Sequence, residues 1–234
     1  MSKRMNRRPG FGATDDASPP RSCPPLLETA PEIDIDQRRY RRIWLFFLNV
    51  LLQAAWWDGL FALPLLNLVR PAPLPRWQAV ARRYRDIAAE MGGVLIKLGQ
   101  FLSTRVDLLP PEITQELAGL QDEVAPAAPA AVTEVLAAAF GRPVDQTFQA
   151  FDTAPIGAAS LAQAHRAVLP DGREVILKVL RPGIHVLVET DLKAMARICR
   201  WLNKFKSVRR RMDLDVLLDE FTRTTRCELD LQQE

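Results

Sequence analysis

Two short apolar segments joined by a turn interrupt a chain that otherwise has helical periodicity. Residues 161–169 and 174–180 have the length and apolar pattern of strands, and residues 170–173 between them read Pro-Asp-Gly-Arg, the composition of a tight hairpin turn. Helical patterns occupy the surrounding sequence, at about 92–105, 112–122, 130–140, 189–205 and 213–234. The chain is therefore predicted to be α+β, with a small sheet attached to helices.

A run of small residues precedes the hairpin: Gly157, Ala158, Ala159 and Ser160. Small side chains at the start of a strand let backbone amides approach a phosphate, as in the glycine-rich loop of kinases, although a tight packing turn explains them equally well. Kinases also place a lysine on their third strand to meet nucleotide phosphates. In the second strand of the predicted hairpin, Lys178 shares a face with Ile176 and Leu180, so a lysine lies on an otherwise apolar face.

A polar stripe runs along the helix predicted at 92–105. Lys97 and Gln100 are three residues apart and leave the same face, with Thr104 one turn further on. Apolar residues recur on the opposite face and are predicted to be buried: Val94, Leu95, Leu98 and Leu102. From this segment alone the stripe contacts either water, the usual partner, or an internal acidic site.

Composition divides the chain into four segments. Residues 1–36 are rich in Pro, Ser, Gly and charge and are predicted to form a disordered tail. Residues 37–72 hold a long apolar run and are predicted to associate with a membrane, and residues 73–143 are predicted to form a helical extension. Residues 144–234 contain the hairpin and two closing helices.

The apolar run from Ile43 to Val69 leaves three interpretations open. As a straight helix it would be roughly 40 Å long, more than the ~30 Å hydrocarbon thickness of a bilayer, so it could span. Asp58 near its middle, Pro64 and arginines on both flanks instead favour an interfacial or re-entrant helix on anionic lipid. Two short helices packed on the protein's own core are the third possibility.

Clusters of arginine and lysine favour an anionic partner. The net charge is only +3, but the cations are grouped, and no zinc-finger or aromatic-interleaved pattern accompanies them. Lipid headgroups or plain solvation by water are therefore expected at these clusters, rather than nucleic acid. We place the chain at the cytoplasmic face of a membrane, as a peripheral or single-pass protein.

Four segments, in this order and at these separations, resemble the UbiB family of atypical kinase-like proteins, also called the aarF or ADCK group. They are IKLGQFLSTRVDLLP, PIGAASLAQAHRA, VILKVLRPGI and ELDLQQE. The resemblance covers about residues 84–234, and the KxGQ element formed by Lys97 to Gln100 is very specific to the family.

This resemblance implies a kinase-like fold with ATP and Mg²⁺ as cofactors. The glycine-rich loop would be replaced by the alanine-rich segment 157–160. Lys178 would bind the nucleotide phosphates, and Glu234 would be its carboxylate partner on the following helix.

The resemblance also answers the question of the polar stripe. Lys97 and Gln100 would reach over the active site, and Glu228 and Asp230 would receive the lysine, so that the stripe plugs an acidic cleft. Family members are viewed as ATPases or small-molecule kinases that support isoprenoid quinone biosynthesis at membranes. A membrane lipid or a lipophilic quinone precursor is the implied partner.

Two departures from the family pattern bear on function. Ile176 replaces the alanine that lies under the adenine, and such overpacking costs ~1–3 kcal/mol, a ten- to hundredfold loss of affinity. No catalytic-loop aspartate or DFG-like metal-binding segment occurs in the 234 residues, so no metal ligand is assigned. We expect an incomplete kinase-like N-lobe after a helical extension, whose C-lobe is missing or separately encoded. The alternative is a non-catalytic, membrane-associated helical interaction protein.

Overall fold

The computed structural model describes residues 34–59, 73–120, 124–210 and 212–231. The helices are α1 (Gln37–Ala54), α2 (Pro73–Met91), α3 (Val94–Ser103), α4 (Pro111–Ala118), α5 (Pro129–Phe140), α6 (Val144–Thr147), α7 (Ile184–Leu202), α8 (Lys206–Arg209) and α9 (Leu214–Cys227), and a π-helical turn, Ala55–Gly59, continues α1. The strands are β1 (Ala150–Phe151), β2 (Gly157–Ala158), β3 (Ala162–Val168) and β4 (Glu174–Leu180). The α+β prediction is confirmed.

Strand β3 is the centre of the antiparallel sheet. It pairs along its whole length with β4, from Ala162 opposite Leu180 to Val168 opposite Glu174, while β1 and β2 share its other edge. The predicted hairpin is confirmed, and Gly172 in its turn has φ +85°, a conformation that glycine adopts without strain.

Helix α5 covers one face of the sheet. Val179 of β4 is buried against Val132 and Leu136 of α5, and Leu177 packs at the edge of this cluster. Ile176 and Lys178 on the other face are exposed, in agreement with the alternation predicted from the sequence, while Leu180 at the end of that face packs against the larger core. One face of β4 therefore belongs to a small core, and the middle of the other face is exposed.

The larger core lies among helices α1, α2, α3, α4, α7 and α9. Ile43, Leu95 and Val188 are almost fully buried in it, and Leu161 joins it from the end of the β2–β3 connection. Val94 and Leu95 are buried as predicted, whereas Leu98 and Leu102 are only partly buried. We call residues 157–161 the alanine-rich connection, and Leu161 attaches it to the helical part of the fold.

A buried ion pair fastens α1 to this core. The Arg39 guanidinium donates from Nε to Asp191 Oδ1 at 2.6 Å and from Nη2 to Oδ2 at 2.7 Å, and Nη1 donates to the Met91 carbonyl at 2.7 Å. Asp191 is fully buried. Burial raises the pKa of Asp191, and the hydrogen bonds and charge of Arg39 oppose that rise.

The two largest errors in the predicted helix boundaries are in α7 and α9, and α4 also ends earlier than predicted, at Ala118 rather than near residue 122. Helix α7 begins at Ile184 rather than near residue 189, because Gly183 adopts a left-handed conformation (φ +68°) that lets the helix start at once. Helix α9 ends at Cys227 and does not continue through the acidic residues that follow. The N–H groups of Leu229 and Asp230 bond three residues back, to Arg226 and Cys227, and this tighter turn lets Leu229 pack on the core.

The first part of the apolar run, residues 43–59, is helical and packs partly on the core. Ile43 is 1% exposed and Phe47 packs against the core, but Leu45, Leu52 and Trp56 are each more than half exposed. Within the residues described, no helix has both the length and the hydropathy needed to cross a bilayer. Pro64 and the rest of the run up to Val69 lie outside the described residues, as does the predicted tail through residue 33.

The glycine of the KxGQ element has a packing role. A Cβ at Gly99 would lie 2.1 Å from Leu120 Cδ1 and 3.2 Å from the Tyr84 ring. Tyr84 is held in place because its hydroxyl donates to the Leu95 carbonyl at 2.6 Å, and burial raises the pKa of that hydroxyl.

Replacing Gly99 with alanine is therefore expected to lower the free energy of unfolding by roughly 1–2 kcal/mol. A contact of 2.1 Å forces Leu120 to move, so the cost of overpacking is expected in the upper part of its usual range, at about 2–3 kcal/mol, and the better helix propensity of alanine returns about 1 kcal/mol. Urea unfolding of G99A measures the change. The matched control is G119A, where a Cβ meets ordinary contacts at 3.6–3.8 Å. A neutral or stabilising G99A would contradict this packing role.

Candidate functional site

Lys97 of α3 contacts the acidic turn that follows α9. Its ammonium forms an ion pair with the Glu228 carboxylate, and the Lys97 side chain is 15% exposed while that of Glu228 is 45% exposed. Lys97 of the polar stripe thus contacts protein, as the family resemblance implied for this residue. Because a half-exposed pair contributes only about 0–1 kcal/mol, fold stability alone is a weak reason for a lysine here.

Gln100 links the same helix to the segment before the sheet. Its Nε2 donates to the Leu120 carbonyl at 3.4 Å, and a little further on the Val124 N–H donates to the Ala158 carbonyl at 3.3 Å. Thr104, the third residue of the stripe, is exposed and bonds within its own helix to Phe101. The Lys97 helix is therefore tied through residues 120 and 124 to the alanine-rich connection.

The four small residues have three different environments. Gly157 and Ala158 form β2, Ala159 is exposed, and Ser160 is buried where the connection turns into β3. A Cβ at Gly157 would meet no atom within 4 Å, so packing within the described chain does not require glycine there. Open space above β2 leaves room for a bound group.

Arg181, which the sequence reading did not select, holds this connection in place. Its guanidinium donates from Nε to the Ala159 carbonyl at 2.9 Å and from Nη1 to the Ala125 carbonyl at 3.0 Å. Burial lowers its pKa. The only feature of the sequence that could have pointed to Arg181 is its position three residues after Lys178, directly after the strand.

Lys178 lies in register with the small residues. Gly157 pairs with Ala164, and Ala164 pairs with Lys178, so the three lie in one row across the sheet. Two strand spacings separate Gly157 from Lys178, roughly 10 Å between backbones. Lys178 projects from the exposed face, on which Ile176 is 59% exposed. The row combines a cation with two small residues, and Ile176 lies beside it on the same face of the sheet.

The opposite face of β3 is fixed by buried polar groups. Gln163 accepts from the Ala127 N–H, and its Nε2 donates to His165 Nε2 at 3.1 Å. This assigns the proton of the neutral imidazole to Nδ1, which donates to the Asp152 carbonyl at 3.0 Å. Since every polar atom in this chain of bonds has a partner, we interpret His165 as a structural residue.

The acidic residues are only partly brought together. Asp230 lies in the same turn as Glu228, two residues later, and Glu234 falls outside the described residues. In the part of the chain that the structure covers, no three His, Cys, Asp or Glu side chains are grouped closely enough to hold a metal ion. The described residues thus place a cation beside small residues on one face of the sheet but group no three ligands for a magnesium ion.

Comparison with known proteins identifies related sequences. Residues 119–234 match the ABC1 atypical kinase-like domain. A probable protein kinase UbiB of Cellvibrio japonicus is 37% identical over 162 residues, which are 69% of this chain and 29% of that protein. A probable protein kinase UbiB of Erwinia tasmaniensis is 37% identical over 180 residues, 76% of this chain and 32% of that protein. The chain therefore spans about a third of the length of these curated relatives.

A solved structure is also similar in part. It is a Mycobacterium tuberculosis protein in complex with erythromycin, 30% identical, and the match covers 63% of this chain and 37% of that chain with a TM-score of 0.41.

Proposed function

We propose that the exposed face of the sheet binds the phosphates of ATP through Lys178. The chain belongs to the UbiB family of atypical kinase-like proteins, and the proposal starts from that membership. The observation that carries this is the row formed by Gly157, Ala164 and Lys178, which sets a cation across from small residues. When bound, the nucleotide supplies a transferable γ-phosphoryl group. Arg181 would keep the alanine-rich connection in the position that the phosphates require.

The contact between Lys97 and Glu228 has a proposed role beside that site. A lysine held against the acidic turn would occupy the place of a peptide substrate and keep Glu228 and Asp230 from repelling one another. The proposed activity is therefore that of an ATPase or a small-molecule kinase rather than a protein kinase. Catalysis also needs acids that hold Mg²⁺, and we propose that a C-lobe, in the same or a separate polypeptide, provides them.

The binding half of this proposal is tested by titrating MgATP into the purified chain in a calorimeter. Saturable binding that is competed by ADP is the expected result. Absence of binding at millimolar nucleotide, in a chain shown to be folded, would remove the proposal. It would favour the second candidate, a non-catalytic interaction protein, for which the exposed apolar residues of α1 are the supporting observation.

Ile176 is expected to weaken the binding of adenine. Its side chain is 59% exposed on the ligand face and adds three carbons relative to the alanine of the family pattern. I176A is therefore expected to bind MgATP about tenfold more tightly, the lower end of the cost of overpacking. Val175 lies on the opposite face of the same strand, so V175A is the matched control. Equal affinities of I176A and the parent chain would show that Ile176 does not face the base.

We propose further that the protein serves isoprenoid quinone biosynthesis at the cytoplasmic face of a membrane. The resemblance to the UbiB family supports this, and a membrane lipid or lipophilic quinone precursor would be the partner. One end of the α1–α2 pair supplies the physical argument for membrane contact.

Helices α1 and α2 are antiparallel neighbours. Arg39 contacts the Met91 carbonyl, Arg42 pairs with Glu90 at 2.5 Å, and Phe46 lies 6.1 Å from Tyr84 between ring centroids. Because residue numbers rise along one helix as they fall along the other in these three contacts, we propose that the end of α1 and the start of α2 lie on the same side of the fold. The exposed apolar side chains at that end are Leu52, Trp56, Leu74 and Trp77.

This apolar end is expected to enter an anionic bilayer, with the exposed Arg38, Arg41 and Arg42 of α1 further back at the headgroups. Replacing Leu52 with glutamate is expected to reduce partitioning onto phosphatidylglycerol-containing vesicles by roughly tenfold or more. Moving a leucine side chain from water into an apolar environment is favourable by about 1.5–3 kcal/mol, and the glutamate loses this free energy. Sedimentation with vesicles measures it. The control is V216E on α9, where Val216 is 61% exposed. An equal loss in both variants, or none in L52E, would contradict the placement.

A further inference from the structure

An apolar cavity of about 190 Å³ lies where α3, α7 and α9 meet. Its walls include Leu98 and Phe101 of α3, Met195 and Leu202 of α7, and Leu218 and Phe221 of α9. Every lining side chain is a hydrocarbon or contains sulfur, so no polar group is available to hold water. The cavity is separate from the exposed face of the sheet and is independent of the proposed nucleotide site.

The size and chemistry of the cavity select a hydrocarbon ligand. An enclosed apolar cavity of roughly 150 Å³ binds benzene, so this one, of about 190 Å³ and partly open to solvent, has room for the terminal carbons of a chain. The flexible thioethers of Met195 and Met212 in the wall can adapt to such a chain. A polar or charged ligand would lose its hydration there without gaining a hydrogen bond.

Positive charge at the edge of the cavity favours a ligand with an anionic head group. The connection from α7 to α9 leaves the wall at Leu202 and returns to it at Met212. Its exposed cations are Lys204, Lys206, Arg209 and Arg210, and residues 203–210 contain no acid. The acids that come next are already engaged: Asp213 caps α9, and Asp215 accepts from the Asn203 amide at 2.9 Å.

We propose that this cavity binds the hydrocarbon chain of a monomeric, single-chain anionic amphiphile, such as a fatty acid, whose carboxylate contacts the cations of the α7–α9 connection. The chain and the head then use adjacent features that no other part of the proposed function employs. Burial of the chain supplies most of the affinity, and the cations supply the preference for an anion.

Cys199 in the cavity wall provides a local readout. Its thiol is partly buried, and burial raises its pKa to about 11, so it reacts slowly near neutral pH. Alkylation of Cys199 is followed by peptide mass spectrometry, with decanoate as the probe, kept below its micelle concentration. Decanoate is expected to slow alkylation at least fivefold, and decyltrimethylammonium, with the same chain and the opposite charge, is expected to have little effect.

Two variants make the test decisive. K206E/R209E changes only exposed side chains and is expected to weaken protection by decanoate, whereas R223E, an exposed cation of α9, is expected to leave it unchanged. L218F, which fills the cavity, is expected to abolish protection. Absence of protection by decanoate would overturn the site. Equal protection by the cationic amphiphile, or by decanoate in K206E/R209E, would overturn the assignment of an anionic head.

Discussion

Replacing Arg39 with alanine is expected to lower the free energy of unfolding by about 3–5 kcal/mol, because it leaves the fully buried carboxylate of Asp191 without its cation. The same change also removes the donor to the Met91 carbonyl, which fastens α1 to the end of α2. Chemical denaturation followed by circular dichroism measures the effect.

The effect is expected to depend on pH. The pKa of Asp191 is raised above its ordinary value of 3.8 even with Arg39 present, and loss of the guanidinium raises it further. Between 3.8 and the raised pKa the folded state binds more protons than the unfolded state, so the stability from this group falls as pH rises. R39A should therefore lose less stability in mildly acidic buffer than at neutral pH.

Two controls separate the buried pair from a general loss of charge. R42A breaks an exposed pair, with Arg42 52% and Glu90 59% exposed, and is expected to cost at most about 1 kcal/mol. R39A/D191N removes both charges and is expected to recover much of the stability. A loss below about 1 kcal/mol in R39A, or no recovery in the double variant, would contradict this description of the core.

Replacing Lys178 with methionine is expected to weaken MgATP binding roughly tenfold to a hundredfold. A hydrogen bond to a charged group contributes about 1.5–3 kcal/mol, and each 1.4 kcal/mol is a factor of ten. Methionine keeps the length of the side chain and removes its charge. Because residue 178 is on the exposed face, the stability of K178M should stay within about 0.5 kcal/mol of the parent chain.

The control for K178M is R173M. Arg173 lies in the turn at the far end of the same hairpin, where its side chain is 74% exposed and pairs with Asp171. Its loss changes net charge as K178M does, so general electrostatic attraction of ATP would lower both affinities equally. Unchanged affinity in K178M, or equal losses in both variants, would remove Lys178 from the phosphate site.

Local sequence pattern was sufficient for the hairpin and for the side of the sheet that Lys178 occupies. Alternation has a period of two residues, so seven residues of β4 determine both faces. The partner of Lys97 could not be predicted from local sequence pattern, because Glu228 is 131 residues away. Helical periodicity predicts which side chains form a polar stripe, but not which residues contact it. The family resemblance supplied that contact, which the structure contains.

Other features required the tertiary structure. Arg39 and Asp191 are 152 residues apart, and each looks like an ordinary polar residue of its helix. Arg181 could not be selected because its role depends on carbonyls of Ala159 and Ala125, which are backbone groups that every residue has. The predicted end of α9 was wrong because no glycine or proline marks the end of this helix in the sequence. The helix ends where Glu228 contacts Lys97 and Leu229 packs on the core.

Amide hydrogen exchange of the chain with and without MgATP tests the central claim most directly. We expect slower exchange at residues 157–161 and 176–180, the two segments that border the row from Gly157 to Lys178, and loss of that protection in K178M. Nucleotide-dependent protection confined to other segments, or none under conditions where binding is saturated, would contradict it.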